Sequence, residues 1–77
     1  MKKVEIYTTP TCVYCKMAKD LFIQHSIPFT EYNVAEDAER RNELIAKSGQ
    51  MGVPVILIDS EMVLGFDEEK LRSLLDL

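Results

Sequence analysis

The chain has 77 residues, 47% of them apolar, and 9 basic against 13 acidic side chains give a formal charge of −4. One domain (residues 1–77) is expected, close to the size below which a core needs help from a disulfide or a metal. No basic cluster extends beyond Lys2-Lys3 and Arg40-Arg41, which argues against nucleic acid as a partner. The apolar run of MKKVEIYTT is too short for a signal peptide, and nothing reaches the length of a membrane span; a cytoplasmic monomer with reduced cysteines is expected.

KVEIYT (3–8) alternates apolar and polar residues and is rich in β-branched and aromatic types, so it reads as a strand. Pro10 and Thr11 break it. From Cys12 to His25, Met17, Ala18, Leu21 and Phe22 form one helical stripe, stopped before Pro28. FTEYNV (29–34) is a second strand, and AEDAERRNELIAKSG (35–49) a helix with acidic start, Leu44 and Ile45 apolar, Lys47 in its last turn and Gly49 as its stop. VPVILID (53–59) reads as a central buried strand opened by Pro54. Asp59-Ser60 turns into a short partner strand, EMVLG (61–65). Asp67 caps a last helix bearing Leu71, Leu74 and Leu75, with Phe66 and Leu71 as a hydrophobic staple. The order β-α-β-α-β-β-α implies an α/β fold: a mixed four-stranded sheet flanked by helices, its first two strands parallel and its last two an antiparallel hairpin.

Cys12 and Cys15 are the only cysteines. As a staple they close too short a loop to remove much chain entropy. As metal ligands they lack a second pair, and His25 lies about three turns away. A dimer sharing a metal or iron–sulfur centre through Cys12 is the remaining alternative. Three positions apart on a helix, the two side chains share a face at a spacing that suits a disulfide. Cys12 falls at the helix start, where orphan N–H groups and the helix dipole favour a thiolate. Cys15, one turn deeper, is expected to be less exposed and less ionised. Lys16 and Lys19 read as ordinary surface charges. A lone Cys-x-x-Cys inside a βαβ pattern is the signature of redox chemistry: Cys12 attacks a disulfide, and Cys15 resolves the mixed disulfide.

CVYC after the first strand, GVP opening the third and GFD before the last helix, in this order, resemble the glutaredoxin branch of the thioredoxin superfamily over essentially the whole chain. The resemblance implies a thioredoxin-like fold, a cis Pro54 facing the cysteines, and a Val53 backbone that pairs with an incoming peptide. It also implies binding contributions from Gly65, Phe66 and Asp67, although Phe66 is explained as a staple and Asp67 as a cap. Val13 and Tyr14, between the cysteines, are expected to meet the partner, and Met51 to line the rim of the docking groove. Thr8, Thr9 and Thr11 suit a loop and a helix start. Glutathione-using members typically carry a lysine where Thr9 stands, a threonine at Gly52 and Gly-Gly at Gly65-Phe66. These departures are similar to NrdH-type redoxins, which take electrons from thioredoxin reductase and pass them to ribonucleotide reductase. Within that narrower group, Tyr14 is instead the glutaredoxin-like choice, and VLGFDEE lacks the usual tryptophan and basic residue. The resemblance therefore implies an electron carrier for protein or glutathione mixed disulfides. Such a carrier would need no bound cofactor and would be reduced by thioredoxin reductase and NADPH or by glutathione.

Overall fold

The computed structural model describes residues 2–50 and 52–77. Met51 therefore lies outside the described residues, and its expected place on a groove rim with it. The elements follow the order β1 (Val4–Thr8), α1 (Val13–Gln24), β2 (Thr30–Asn33), α2 (Ala38–Ser48), β3 (Val55–Ile58), β4 (Glu61–Leu64) and α3 (Glu68–Leu74). They build one sheet in the order β2-β1-β3-β4. β1 and β2 run parallel, while β1 with β3 and β3 with β4 run antiparallel. This is a thioredoxin-like fold. Among the described residues no helix is long and apolar enough to cross a membrane.

Strand alternation divides the core in two. Val4, Ile6, Ile56, Ile58 and Val63 point to one face, where Ala18, Leu21 and Phe22 of α1 and Leu71 of α3 cover them. Tyr7 and Val55 point to the other, where they meet Leu44 of α2 and Val34, which follows β2. Both inner strands are covered on two faces, which accounts for the uninterrupted apolar run of β3 and for the burial of Tyr7 and Thr8 beyond the Val4/Ile6 alternation of β1.

The helix boundaries are tighter than the sequence reading, because caps set them. Asp37, in extended backbone, accepts the N–H of Arg40 at 3.1 Å and starts α2. The residues before it form a turn in which Asn33 accepts the N–H of Ala35, so the helix does not begin at 35. Gly49 ends α2 with φ of 75°, a left-handed conformation that favours glycine. Asp67 caps α3 in the same way through the N–H of Lys70. Phe66 packs against the cluster that holds Leu71, as a staple would.

The stripe on α1 also differs from expectation. Its buried members are Cys15, Ala18, Leu21 and Phe22, while Met17 is 43% exposed. A stripe anchored on Cys15 at steps of three and four leaves position 17 on the flank. Ile45 is similarly displaced, 38% exposed beside buried Leu44.

Candidate redox site

The site is built where β1 hands the chain to α1. Cys12 is the N-cap of α1, in extended backbone with φ −89° and ψ 110°. Its Sγ accepts the N–H of Cys15 at 3.1 Å, and its carbonyl accepts the N–H of Lys16, the first bond of the helix. A sulfur in the N-cap role meets the orphan donors of the first turn, where the dipole favours negative charge. The Cys12 N–H is in turn held by the carbonyl of Thr9 at 3.3 Å, so the loop that presents the sulfur is fixed at both ends. His25 caps the far end of the same helix, remote from the cysteines.

The two thiols sit in different environments. Cys12 is partly exposed, whereas Cys15 is 1% exposed beneath the first turn. Burial, first, and the hydrogen bond with Cys12, second, push the Cys15 thiol up to about 12, while the backbone of Thr9 and the charge of Lys19 pull the other way. One thiol is thus accessible and accepts a backbone N–H; the other is held protonated in the core one turn away.

Across the sheet end, the Val53–Pro54 peptide bond is cis, and the carbonyl of Val53 accepts the Cys12 S–H at 3.7 Å. Pro54 is buried and its carbonyl accepts the N–H of Gly65 at 2.8 Å. Gly65 has φ of 78°, which favours glycine at the exit of β4. The structure therefore brings together Cys12, Cys15, Val53, Pro54 and Gly65. Val13 and Tyr14 project outward, 70% and 61% exposed, and Met17 continues the exposed apolar strip along α1. Phe66 lines a shallow groove between α1 and α3 with Met17 and Leu21. Asp67 is occupied as the cap of α3.

Three residues near the site escaped the sequence reading. Thr8 is the buried last residue of β1, 1% exposed, and not a loop residue; its hydroxyl donates to Glu31 Oε2 at 2.6 Å. Lys19 is half-buried and reaches the same oxygen at 2.9 Å, so it is more than a surface charge. The hydroxyl of Thr8 and then the ammonium of Lys19 hold the Glu31 carboxyl below the usual carboxylate range. Only a period-two reading that placed Thr8 on the same face as Ile6 could have signalled this. Among the described residues, no group of three or more His, Cys, Asp and Glu lies close enough to hold a metal ion.

An accessible N-cap cysteine, a buried partner one turn on and a cis proline opposite define a redox protein of the thioredoxin-like fold. The glutaredoxin family model matches residues 4–63. The chain is 40% identical over 73 residues to a glutaredoxin-like 8.6 kDa protein from the rubredoxin operon of Clostridium pasteurianum, covering 95% of this chain and 97% of that protein. It is 41% identical over 68 residues to glutaredoxin 3 of Escherichia coli, covering 88% of this chain and 82% of the relative. Among solved structures, the glutaredoxin-like NrdH-redoxin of Escherichia coli superposes with a TM-score of 0.84 at 25% identity, covering 94% and 93% of the two chains. The chain belongs to the glutaredoxin family.

Proposed function

We propose that this protein is a dithiol–disulfide oxidoreductase in which Cys12 is the nucleophile and Cys15 the resolving thiol. The observation that carries the reading is the unequal placement of the two sulfurs: Cys12 partly exposed, accepting the Cys15 N–H at 3.1 Å, and Cys15 1% exposed. The Cys12 thiolate attacks one sulfur of a substrate disulfide, and the other sulfur leaves as a thiolate that takes up a proton. Cys15 then attacks Cys12, breaks the mixed disulfide and releases the second substrate thiol. The substrate is reduced by two electrons and the Cys12–Cys15 pair oxidised by two. The Val53 backbone, its carbonyl 3.7 Å from Cys12 Sγ, supports an extended substrate segment beside the reacting sulfurs, in the manner of an added strand. Exposed Val13 and Tyr14 supply its apolar contact.

For the reductant, the residues favour thioredoxin reductase over glutathione. Thr9 offers no ammonium for a glutathione carboxylate, Gly52 offers no hydroxyl, and Asp67 is engaged as a helix cap. The resemblance to an NrdH-redoxin supports the same choice and makes ribonucleotide reductase the first protein substrate to try. The test is NADPH consumption with a disulfide substrate, supplied either by thioredoxin reductase or by glutathione with glutathione reductase. Turnover with thioredoxin reductase alone is expected. Turnover with glutathione alone would overturn the reductant, and turnover with neither, together with stoichiometric iron in anaerobically purified protein, would replace the enzyme reading with a metal carrier.

A further inference from the structure

We propose that Lys19, held in place by Glu31 and Thr8, is the positioning residue of the resolving step, an assignment that rests on Cys12 and Cys15 acting as nucleophile and resolving thiol. The resolving step begins from an awkward state. In the mixed disulfide Cys12 carries no charge, and the attacking sulfur is the 1% exposed thiol of Cys15. That thiol must lose its proton where it is almost wholly buried, and there a bare thiolate is costly.

Lys19 stands one turn beyond Cys15 on α1, at the spacing that places two residues on one face. A lysine here would ordinarily swing into solvent. Instead its ammonium crosses from α1 to β2 and meets Glu31 Oε2 at 2.9 Å. Glu31 is aligned with Ile6 in the parallel pairing of β1 and β2, so it looks toward α1. The same carboxylate oxygen accepts the hydroxyl of Thr8 at 2.6 Å, and Thr8 is itself 1% exposed. A buried hydroxyl thus fixes the carboxylate, and the carboxylate fixes the ammonium between α1 and β2.

The remaining charges around this end do not substitute for it. Lys16 and Asp20 are exposed on α1. On α3, Glu68 and Arg72 pair with each other at 2.8 Å, and Asp67 caps the helix. Glu5 of β1 is bonded by Tyr32 on the opposite face of the sheet. Against burial, the backbone of Thr9 and, more weakly, the charge of Lys19 lower the Cys15 thiol; Lys19 is the cation among these groups. Glu31 stays ionised beside it, and its negative charge partly offsets the lysine at Cys15 even as it holds the lysine there.

The step itself balances without a further reagent. The Cys15 proton passes to water, and the thiolate forms a bond to Cys12 Sγ. The bond from Cys12 to the substrate sulfur breaks, and its electron pair leaves on that sulfur, which takes up a proton. Lys19 stays protonated throughout; its part is to favour the anion that attacks.

The test is stopped-flow release of thiolate from a chromogenic bis(nitrobenzoate) disulfide. Cys12 attack liberates the first equivalent and Cys15 attack the second. The readout is the ratio of the two phase rates as a function of pH. Lys19→Met should lower the ratio about tenfold at neutral pH and move its rising limb up by about one pH unit. Lys19→Arg should restore it. Glu31→Gln, which keeps an acceptor oxygen but removes the charge, should raise the ratio by about threefold. An unchanged ratio in Lys19→Met, or a fall in both variants, would overturn the role of Lys19. A wild type that releases one equivalent only, or a Cys15→Ser variant that keeps the second phase, would overturn the cysteine assignment beneath it.

Discussion

The two faces of the sheet do different work. Under α1 and α3 lies a dry cluster of nine buried residues, among them Ile6, Phe22, Ile56 and Leu71. Under α2, among the described residues, the buried cluster has four members, and one of them is Tyr7. The α2 side is closed by polar contacts at its edge: Tyr32 donates to Glu5 at 2.7 Å, Arg40 stacks 4.1 Å over the Tyr32 ring, and Arg40 pairs with Glu43 at 3.0 Å. The cysteines hang from the α1 side. A reacting sulfur must be held to fractions of an ångström, and the face that holds it is packed with rigid aliphatic and aromatic groups. The α2 face carries no proposed chemistry and relies on contacts that water can replace.

The comparison can be broken first by truncation. Phe22→Ala should cost about 4 kcal/mol of folding stability, against about 3 kcal/mol for Leu44→Ala, measured by denaturant titration. A larger loss at Leu44 would reverse the order of the two faces. The caps come next: Asp37→Ala and Asp67→Ala should each cost about 1 kcal/mol. Asp67→Ala tests in addition whether this carboxylate does more than cap. If it also bound substrate, turnover would fall beyond what the lost stability explains.

Titration sharpens the contrast further. Burial raises the Cys15 thiol to about 12 in the fold, above its unfolded value near 8.5. The reduced fold therefore binds this proton more tightly than the unfolded chain does. That stability is full below the unfolded value and is lost as pH climbs toward the folded one. Tyr32, raised by its hydrogen bond to Glu5, adds loss in the same direction from the other face. Cys15→Ala and Tyr32→Phe should each flatten the alkaline limb of the stability profile, and the double variant should flatten it most. The smallest effect belongs to Glu31. Its carboxyl is lowered in the fold, so its contribution is present above the unfolded carboxylate range and is lost as pH falls through the folded value. Glu31→Gln should make the acid limb shallower.

Local pattern carried the elements, because period two in residues 3–8, the apolar run at 55–58 and the acidic caps are short-range signals. The parallel β1–β2 pair follows from the intervening helix and the handedness of crossovers. The antiparallel pairing of β1 with β3 does not, since residues some fifty positions apart choose each other through the shared core. The Cys-x-x-Cys pair and its place at a helix start were legible for the same local reason. Thr8, Lys19 and Glu31 were not: each looks ordinary where it stands, and only the β1–β2 register, with α1 laid across it, brings Thr8 and Lys19 to one oxygen of Glu31. Met17 misled because a hydrophobic residue was counted into the stripe while Cys15, which fills it, was counted as chemistry alone.

The most direct test of the central claim is site-resolved mass spectrometry of a Cys15→Ser variant turned over with a protein disulfide. The account predicts a stable mixed disulfide on Cys12 in that variant and no adduct in Cys12→Ser. An adduct that forms on Cys15 when Cys12 is replaced, or no adduct in either variant while the wild type turns over, would contradict it.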